Sequence, residues 1–139
     1  MRRIAIGLTA LLMAACADRL PPGPLPADLA GTHWIAKTVA GERVPEDMAV
    51  TLEFEGADRV YGRAGCNRYN GPIGVTDGKL AIGPLATTRM ACPEPQMALE
   101  QAFLAALADA RALRHDNSEL IVETNTPGPE TRLLPFTPP

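Results

Sequence analysis

Residues 59–71 read RVYGRAGCNRYNG, and they are the most informative stretch of the chain. The stretch begins with a short run containing valine and tyrosine, which are typical of β-strands. It predicts a strand over Arg59–Gly65. Within that strand, the spacing of Gly62 and Gly65 indicates bends or bulges in a curved sheet rather than a phosphate-binding loop.

Similar short strands are predicted on both sides of this stretch. Runs with alternating or β-branched residues are divided by turns rich in glycine, proline and aspartate. Two of these turns, 55–58 and 76–79, contain a glycine that can adopt the positive φ of a tight hairpin. The other predicted strands are His33–Val39, Val50–Glu55, Gly74–Thr76, Lys79–Ile82, Leu85–Met90, Ala112–His115, Glu119–Glu123 and Thr131–Phe136.

One helix is predicted to begin at Pro93-Glu94-Pro95. Proline is tolerated in the first turn of a helix, and glutamate suits the positive end of the helix dipole. An apolar stripe at helical spacing follows and indicates a face directed at the core, with Glu100, Gln101 and Asp109 lying off that face. The stripe consists of Leu99, Phe103, Ala106, Ala110 and, if the helix extends that far, Leu113.

The order of these elements predicts a single α+β domain. Every link is short enough for a hairpin, so we expect an antiparallel, partly open β-barrel-like sheet packed with a single α-helix. The length of 139 residues suits one domain. With 13 Lys and Arg against 16 Asp and Glu, and only 4% aromatic residues, the composition argues against a nucleic-acid-binding protein.

The first 15 residues are predicted to be a lipoprotein signal peptide. Arg2 and Arg3 precede an apolar run, Ile4–Ala15, that is well short of the roughly 20 residues needed to span a membrane. The stretch Leu12–Cys16 resembles a bacterial lipobox, in which Cys16 becomes the acylated N-terminus after cleavage. The alternative is an ordinary signal peptide that leaves Cys16 as a free thiol.

Residues 16–30 are then predicted to be the acylated cysteine and a proline-rich tether. Four prolines between residues 21 and 26 favour an extended segment that holds the domain above the lipid surface. Acyl chains on Cys16 would attach the protein to a membrane almost permanently. The resemblance to lipoproteins implies a sorting rule, under which Ala17 rather than aspartate after Cys16 places the lipid anchor in the outer membrane of the bacterial cell envelope, with the domain facing the periplasm. Asp18, one place later, leaves the choice of membrane open in some bacteria.

Five motifs of the folded part occur in the order Gly31–Trp34, Leu52–Phe54, Arg59–Gly62, Ala64–Gly71 and Gly83–Pro93. Together they resemble the META domain of HslJ-like bacterial lipoproteins. The resemblance covers residues 31–136 and leaves 137–139 as a C-terminal tail. It implies an α+β domain on an antiparallel, barrel-like sheet and an envelope role linked to heat or antibiotic stress. The family offers no agreed catalytic residues.

Cys66 and Cys92 are the two thiols that remain once Cys16 is acylated. An exported protein meets an oxidising compartment, which favours a disulfide between them. Two free buried thiols, or a reactive or metal-binding thiol, are the alternatives. A zinc site is disfavoured because the chain has no Cys-x-x-Cys motif and because His33 and His115 are isolated, so no cofactor is expected.

Three arginines, Arg63, Arg68 and Arg89, lie close to these cysteines in the sequence, together with Asn67 and Tyr69. We hypothesise that the five residues form a patch that binds an anionic partner, such as a lipid headgroup, a glycan or an acidic protein loop. In the alternative interpretation the arginines pair with local carboxylates, and Asn67 hydrogen-bonds the backbone of the turn.

The residues expected of a hydrolytic enzyme are missing from the sequence. The one serine, Ser118, lies in a polar turn without the Gly-x-Ser-x-Gly motif. Glu53 and Glu55 share one face of a predicted strand, where a solvated pair is more common than a pair of catalytic carboxylates. We therefore predict no catalytic residues and expect the chain not to be an enzyme.

Three functional classes remain. The favoured class is a non-enzymatic envelope lipoprotein that contacts another envelope protein and contributes to stress tolerance. A second is a binder of a lipid or another small apolar molecule inside the barrel, which requires an accessible apolar cavity. A third is a periplasmic protease inhibitor on a lipocalin-like barrel, whose reactive segment would be the N-terminal tether.

Overall fold

The computed structural model describes residues 25–139. The predicted signal peptide, Cys16 and most of the predicted tether lie outside these residues. One helix, α1 (Glu94–Ala108), and ten strands are found within them. The strands are β1 (His33–Val39), β2 (Glu42–Arg43), β3 (Thr51–Glu55), β4 (Arg59–Arg63), β5 (Arg68–Thr76), β6 (Lys79–Ile82), β7 (Ala86–Thr87), β8 (Ala110–Asp116), β9 (Glu119–Thr124) and β10 (Thr131–Pro135).

The ten strands form one sheet in which every described pair is antiparallel. Its order is β6-β5-β4-β3-β1-β10-β9-β8, with β2 added to β1 and β7 added to β5. The end strands β6 and β8 lie against each other and leave a seam, so the sheet nearly closes into a barrel. This confirms the predicted α+β class with an antiparallel, barrel-like sheet and one helix.

A β-bulge in the central strand β1 changes which residues of the strand face the core. Trp34 and Ala36 point into the core, as strand alternation requires. The register with β10 then shifts between Ala36 and Thr38, which marks a β-bulge. Because the bulge inserts one residue, Val39 rather than Thr38 is buried in the core.

Helix α1 packs against β1, β6 and β9 and fills the inside of the curved sheet. The aromatic ring of Phe103 meets that of Tyr69 edge to face, with 5.9 Å between the ring centroids. No helix within residues 25–139 is long and apolar enough to cross a bilayer. The largest fully buried side chains of the domain are Phe103, Leu52, Leu107, Leu113, Leu120, Ile121 and Leu133.

The helix ends earlier than its apolar stripe predicts. Ala110 and Leu113 belong to β8, where both are buried. The helix stops at Asp109, whose carboxylate accepts a hydrogen bond of 2.8 Å from the backbone N–H of Thr126. That hydrogen bond lowers the pKa of Asp109 and holds the end of the helix against the β9–β10 connection.

Strand β5 is longer than predicted and β7 is shorter than the predicted strand Leu85–Met90. The segment Asn70–Pro72 is unfavourable for a strand, yet it pairs in register with β4. Gly71 is required there because a Cβ atom would lie 2.7 Å from a methyl group of Leu85. The short strand β2 has no counterpart among the predicted elements.

The folded part also begins closer to the predicted anchor than residue 31. Leu29, which falls in the predicted tether, is only 2% exposed and joins the core. Leu25 is half-buried and packs against the same cluster. The described chain therefore contributes apolar side chains to the core before β1 begins.

A substitution at Gly62 tests how closely β3 packs against β4. A Cβ atom at this position would overlap the carbonyl oxygen of Thr51. We expect Gly62→Ala to lower the free energy of unfolding by about 1–3 kcal/mol, measured by chemical denaturation. Gly74→Ala is the matched control, since a Cβ atom there meets nothing within 4 Å. Equal effects of the two substitutions would contradict this account.

Candidate functional site

A disulfide between Cys66 and Cys92 joins the β4–β5 connection to the segment that precedes α1. The two Cα atoms lie 6.2 Å apart, within the range of disulfides in proteins. The predicted disulfide is therefore present, and the interpretations of Cys66 and Cys92 as free, reactive or metal-binding thiols are not. The link is the covalent part of a larger cluster around residue 67.

Asn67 is the centre of this cluster and is only 2% exposed. Its side-chain oxygen accepts hydrogen bonds from the Thr88 hydroxyl, at 2.9 Å, and from the Met90 N–H, at 2.7 Å. Its side-chain amide donates to the Met90 carbonyl at 3.3 Å and to Glu100 Oε1 at 3.0 Å. The Asn67 backbone N–H donates to Glu100 Oε2 at 2.7 Å. One side chain thus joins the β4–β5 connection to the segment 88–90 and to α1.

The prediction for Glu100 is wrong, because the helical pattern placed this residue off the core face. It is 7% exposed and lies inside the domain. A buried carboxyl group is costly unless it is hydrogen-bonded, and both of its oxygens accept hydrogen bonds from Asn67. Apolar periodicity alone could not reveal this pairing, since the two residues are 33 positions apart.

Tyr69 is also buried, and its hydroxyl donates to the Thr51 carbonyl at 2.7 Å. Burial and, to a lesser extent, the charge of Glu53 raise the pKa of Tyr69 well above its usual value of 10.0. The prediction of a five-residue surface patch is therefore wrong for two of its members. Asn67 and Tyr69 lie inside the domain, beneath the surface that carries the arginines.

The three arginines of the predicted patch are exposed at one end of the β4–β5 hairpin. Arg63 and Arg68 are direct partners across the two strands. The segment before Arg89 is attached to Arg68 twice: the Thr88 N–H donates to the Arg68 carbonyl at 3.0 Å, and the Arg68 N–H donates to the Thr88 hydroxyl at 3.1 Å. We call Arg63, Arg68 and Arg89 the basic surface.

Within residues 25–139, no carboxylate oxygen lies within 4.0 Å of a guanidinium nitrogen of the basic surface. The local pairing considered as the alternative is therefore absent for these three arginines. The alternative also expected Asn67 to hydrogen-bond the backbone of its own turn, whereas its side chain bonds the backbone of Met90, 23 positions away.

Arginines on the opposite part of the sheet are paired with carboxylates. Arg114 contacts Glu123 at 2.8 Å and Glu130 at 3.2 Å. Arg132 contacts Glu119 at 2.8 Å and also Glu130, at 2.6 Å. Hydrogen bonds from Arg132 and then from Lys37 lower the pKa of Glu119. Charge is balanced on β8, β9 and β10, whereas it is unbalanced at the basic surface.

A second polar cluster surrounds Glu53 on the outer face of β3. One carboxylate oxygen of Glu53 lies 2.9 Å from His33 Nδ1, and the other accepts a hydrogen bond of 3.0 Å from the Thr51 hydroxyl. Burial and the nearby Glu53 raise the pKa of Tyr61, the cross-strand partner of Glu53. Within the described part of the chain, no three His, Cys, Asp or Glu residues are grouped as a metal site.

Several clefts lie on the outside of the described domain, and two of them border strand β8 and helix α1. One, of about 700 Å³, follows the seam between β6 and β8 and is lined by Lys79, His115 and the segment 25–27. The other, of about 290 Å³, is an apolar groove beside α1 that includes Met48 and Leu99.

Comparison with known proteins agrees with this architecture. The family model described as META domain matches residues 27–134. The chain belongs to the META domain family. Among curated proteins, this META domain is similar to "Heat shock protein HslJ" of Escherichia coli (strain K12), at 29% identity over 98 residues, which is 70% of each chain.

Solved structures show the same fold. An NMR structure of a protein from Burkholderia xenovorans shares 28% identity and a TM-score of 0.63, covering 79% of this chain and 85% of the other. A further NMR structure has a TM-score of 0.61 at 22% identity, with 76% and 90% covered, and this likeness concerns the fold alone.

We expect Asn67→Ala to destabilise the META domain by about 1–3 kcal/mol, because Glu100 Oε1 loses its donor inside the domain and the Met90 N–H loses its acceptor, while the backbone N–H of residue 67 still donates to Glu100 Oε2. The measurement is the free energy of unfolding in denaturant. Asn70→Ala is the matched control. Asn70 is exposed and its side chain bonds only Arg59 at the surface, so its loss should change stability by less than about 0.5 kcal/mol. A similar loss in both variants would show that Asn67 is not the centre of the cluster.

Proposed function

We propose that this META domain protein is a non-enzymatic lipoprotein of the bacterial envelope. It is held in the outer membrane by acyl chains on Cys16, faces the periplasm, and acts through protein contacts in tolerance of heat or antibiotic stress. Family membership and the similarity to a protein named as a heat shock protein support the envelope and stress parts of this proposal. The lipobox-like stretch before Cys16 supports the anchor.

The observation that carries the proposal is the filled interior of the barrel. Phe103 and Leu107 of α1, together with Leu52, Leu120 and Leu133 of the sheet, have essentially no exposed area. These side chains belong to one core cluster that occupies the middle of the barrel. Small barrels that carry a ligand need an open lumen, so binding by this domain takes place on its outer surface.

The polar clusters also favour binding over catalysis. Both oxygens of Glu100 and both oxygens of Glu53 already accept hydrogen bonds within the domain. A general acid or base needs a free position directed at a substrate. Within residues 25–139, the guanidinium groups of the basic surface have no carboxylate partner, and guanidinium groups typically bind anions.

The groove beside α1 supports a second candidate function, the binding of a lipid or a similar apolar molecule. Its lining includes Val39, Met48, Ala98, Leu99 and Ala102, and its volume of about 290 Å³ suits part of an acyl chain. In this candidate the ligand lies along the outside of the helix, not in the barrel as the sequence suggested.

The first experiment compares survival of a deletion strain after heat and antibiotic challenge when it is complemented by two forms of the protein. One is the full chain. The other carries Cys16→Ser and the signal peptide of a soluble periplasmic protein in place of residues 1–15. We expect the full chain to restore survival and to fractionate with the outer membrane, and the soluble form to restore it poorly. An unchanged survival of the deletion strain would overturn the stress role, and full rescue by the soluble form would overturn the need for an anchor.

Native mass spectrometry of the mature protein, purified from its own membrane, separates the two candidate functions. A protein that acts by surface contacts is expected to carry no lipid beyond its own acyl chains. Stoichiometric release of a further lipid would instead favour the groove. Ala98→Trp fills that groove and would then abolish the co-purified mass, whereas it leaves a protein without such a ligand unchanged.

A further inference from the structure

We infer that the basic surface is a docking site for an acidic segment of a partner protein. This inference rests on the proposed function and adds to it the surface and the chemistry of the partner. The recognised groups are the carboxylates of an extended, aspartate- or glutamate-rich polypeptide, which guanidinium groups bind in a bidentate manner.

The arrangement of charge at the basic surface favours an acidic partner. Arg63 and Arg68 are direct cross-strand partners, and like charges in such a pair repel each other. Arg59, Arg111, Arg114 and Arg132 relieve their charge by pairing with carboxylates of the chain itself. Arg63, Arg68 and Arg89 lack this relief within residues 25–139. An acidic segment laid across the hairpin end would supply it.

The backbone that carries the three arginines is held rigidly. Both neighbours of Arg89 are fixed: Thr88 exchanges two hydrogen bonds with Arg68, and Met90 exchanges two with Asn67. The disulfide fixes the same segment two residues further on. The three arginine Cα positions are therefore set before a partner arrives, which reduces the entropy lost on binding.

The residues beside the basic surface favour a polypeptide over an isolated phosphate. The next outward-facing pair along the hairpin is Tyr61 and Asn70. Tyr61 is 36% exposed and is among the large side chains that the domain leaves accessible. Tyrosine and arginine together are residue types that dominate protein–protein interfaces.

The position of the basic surface also favours a protein over the membrane that holds the anchor. Segment 25–27, where the described chain begins, shares the seam cleft with Gly78 and Lys79 just after the end of β5. Arg68 is the first residue of β5 and Thr76 the last. At about 3.3 Å per residue, the two ends of this strand are on the order of 25 Å apart. The basic surface is thus at the far end of β5 from segment 25–27, where the described chain begins.

The test uses the lipidated full-length protein in nanodiscs of neutral phosphatidylcholine. The probe is a fluorescent peptide of consecutive glutamates that ends in a tyrosine, and binding is measured by fluorescence anisotropy. We expect saturable binding that Arg63→Ala/Arg68→Ala weakens about tenfold. The control, Arg43→Ala/Lys79→Ala, removes two exposed cations that also lack an ion pair in the described chain, and it should change binding less than about twofold. Arg89→Glu, in an exposed loop, provides a second loss-of-binding variant if the first unfolds.

Three results would overturn the inference. Equal weakening by the two double variants would mean attraction to total charge rather than to this surface. Equal binding of a glutamine peptide would exclude recognition of carboxylates. Tighter binding to added phosphatidylglycerol vesicles than to the peptide, lost in Arg63→Ala/Arg68→Ala, would identify a lipid headgroup instead. The survival assay measures the proposed function separately, so a failure there leaves the peptide result intact, and the converse also holds.

Discussion

The hydrogen bonds between Asn67 and Glu100 are the interaction on which the rest of this domain depends. A carboxyl group inside a packed core is tolerated only if its partners are held in place, and here one asparagine supplies both donors. The same asparagine binds both backbone polar groups of Met90. Three parts of the chain that are remote in sequence must therefore meet in one arrangement. The disulfide between Cys66 and Cys92 also joins the β4–β5 connection covalently to the segment before α1.

Charge is distributed over the sheet in two different ways. On β8, β9 and β10 the arginines lie among glutamates, and Ile121 is fully buried although its cross-strand neighbours on that face are Arg114 and Arg132. The alkyl parts of arginine side chains can cover such an apolar residue while their charged ends reach carboxylates. These arginines stabilise the outside of the sheet. At the hairpin end of β4 and β5, Arg63, Arg68 and Arg89 have no ion pair within residues 25–139, and for this reason we assign recognition to them.

The sequence predicts those parts of the fold whose determinants are local. β1 and β6 have the predicted limits because alternating side chains and adjacent turns define them. α1 begins as predicted because the proline–glutamate signal acts within one turn. β5 escapes prediction because its pairing with β4 and β7 overrides the weak strand preference of Asn70, Gly71 and Pro72. The site follows the same division: the disulfide and the three arginines are visible in the sequence, while the burial of Asn67, Tyr69 and Glu100 results from contacts between distant segments.

The order of strands has a consequence for how the barrel is assembled. β1, near the start of the folded chain, lies between β3, which follows it closely, and β10, which is the last strand. When β3, β4, β5 and β6 have been added to one side of β1, its other side still has unpaired N–H and C=O groups. That open edge is a template for unwanted strand pairing until Thr131–Pro135 binds to it. Pairing between segments so remote in sequence is intrinsically slow to form, so the closing of this edge is a late and vulnerable step in the folding of the domain.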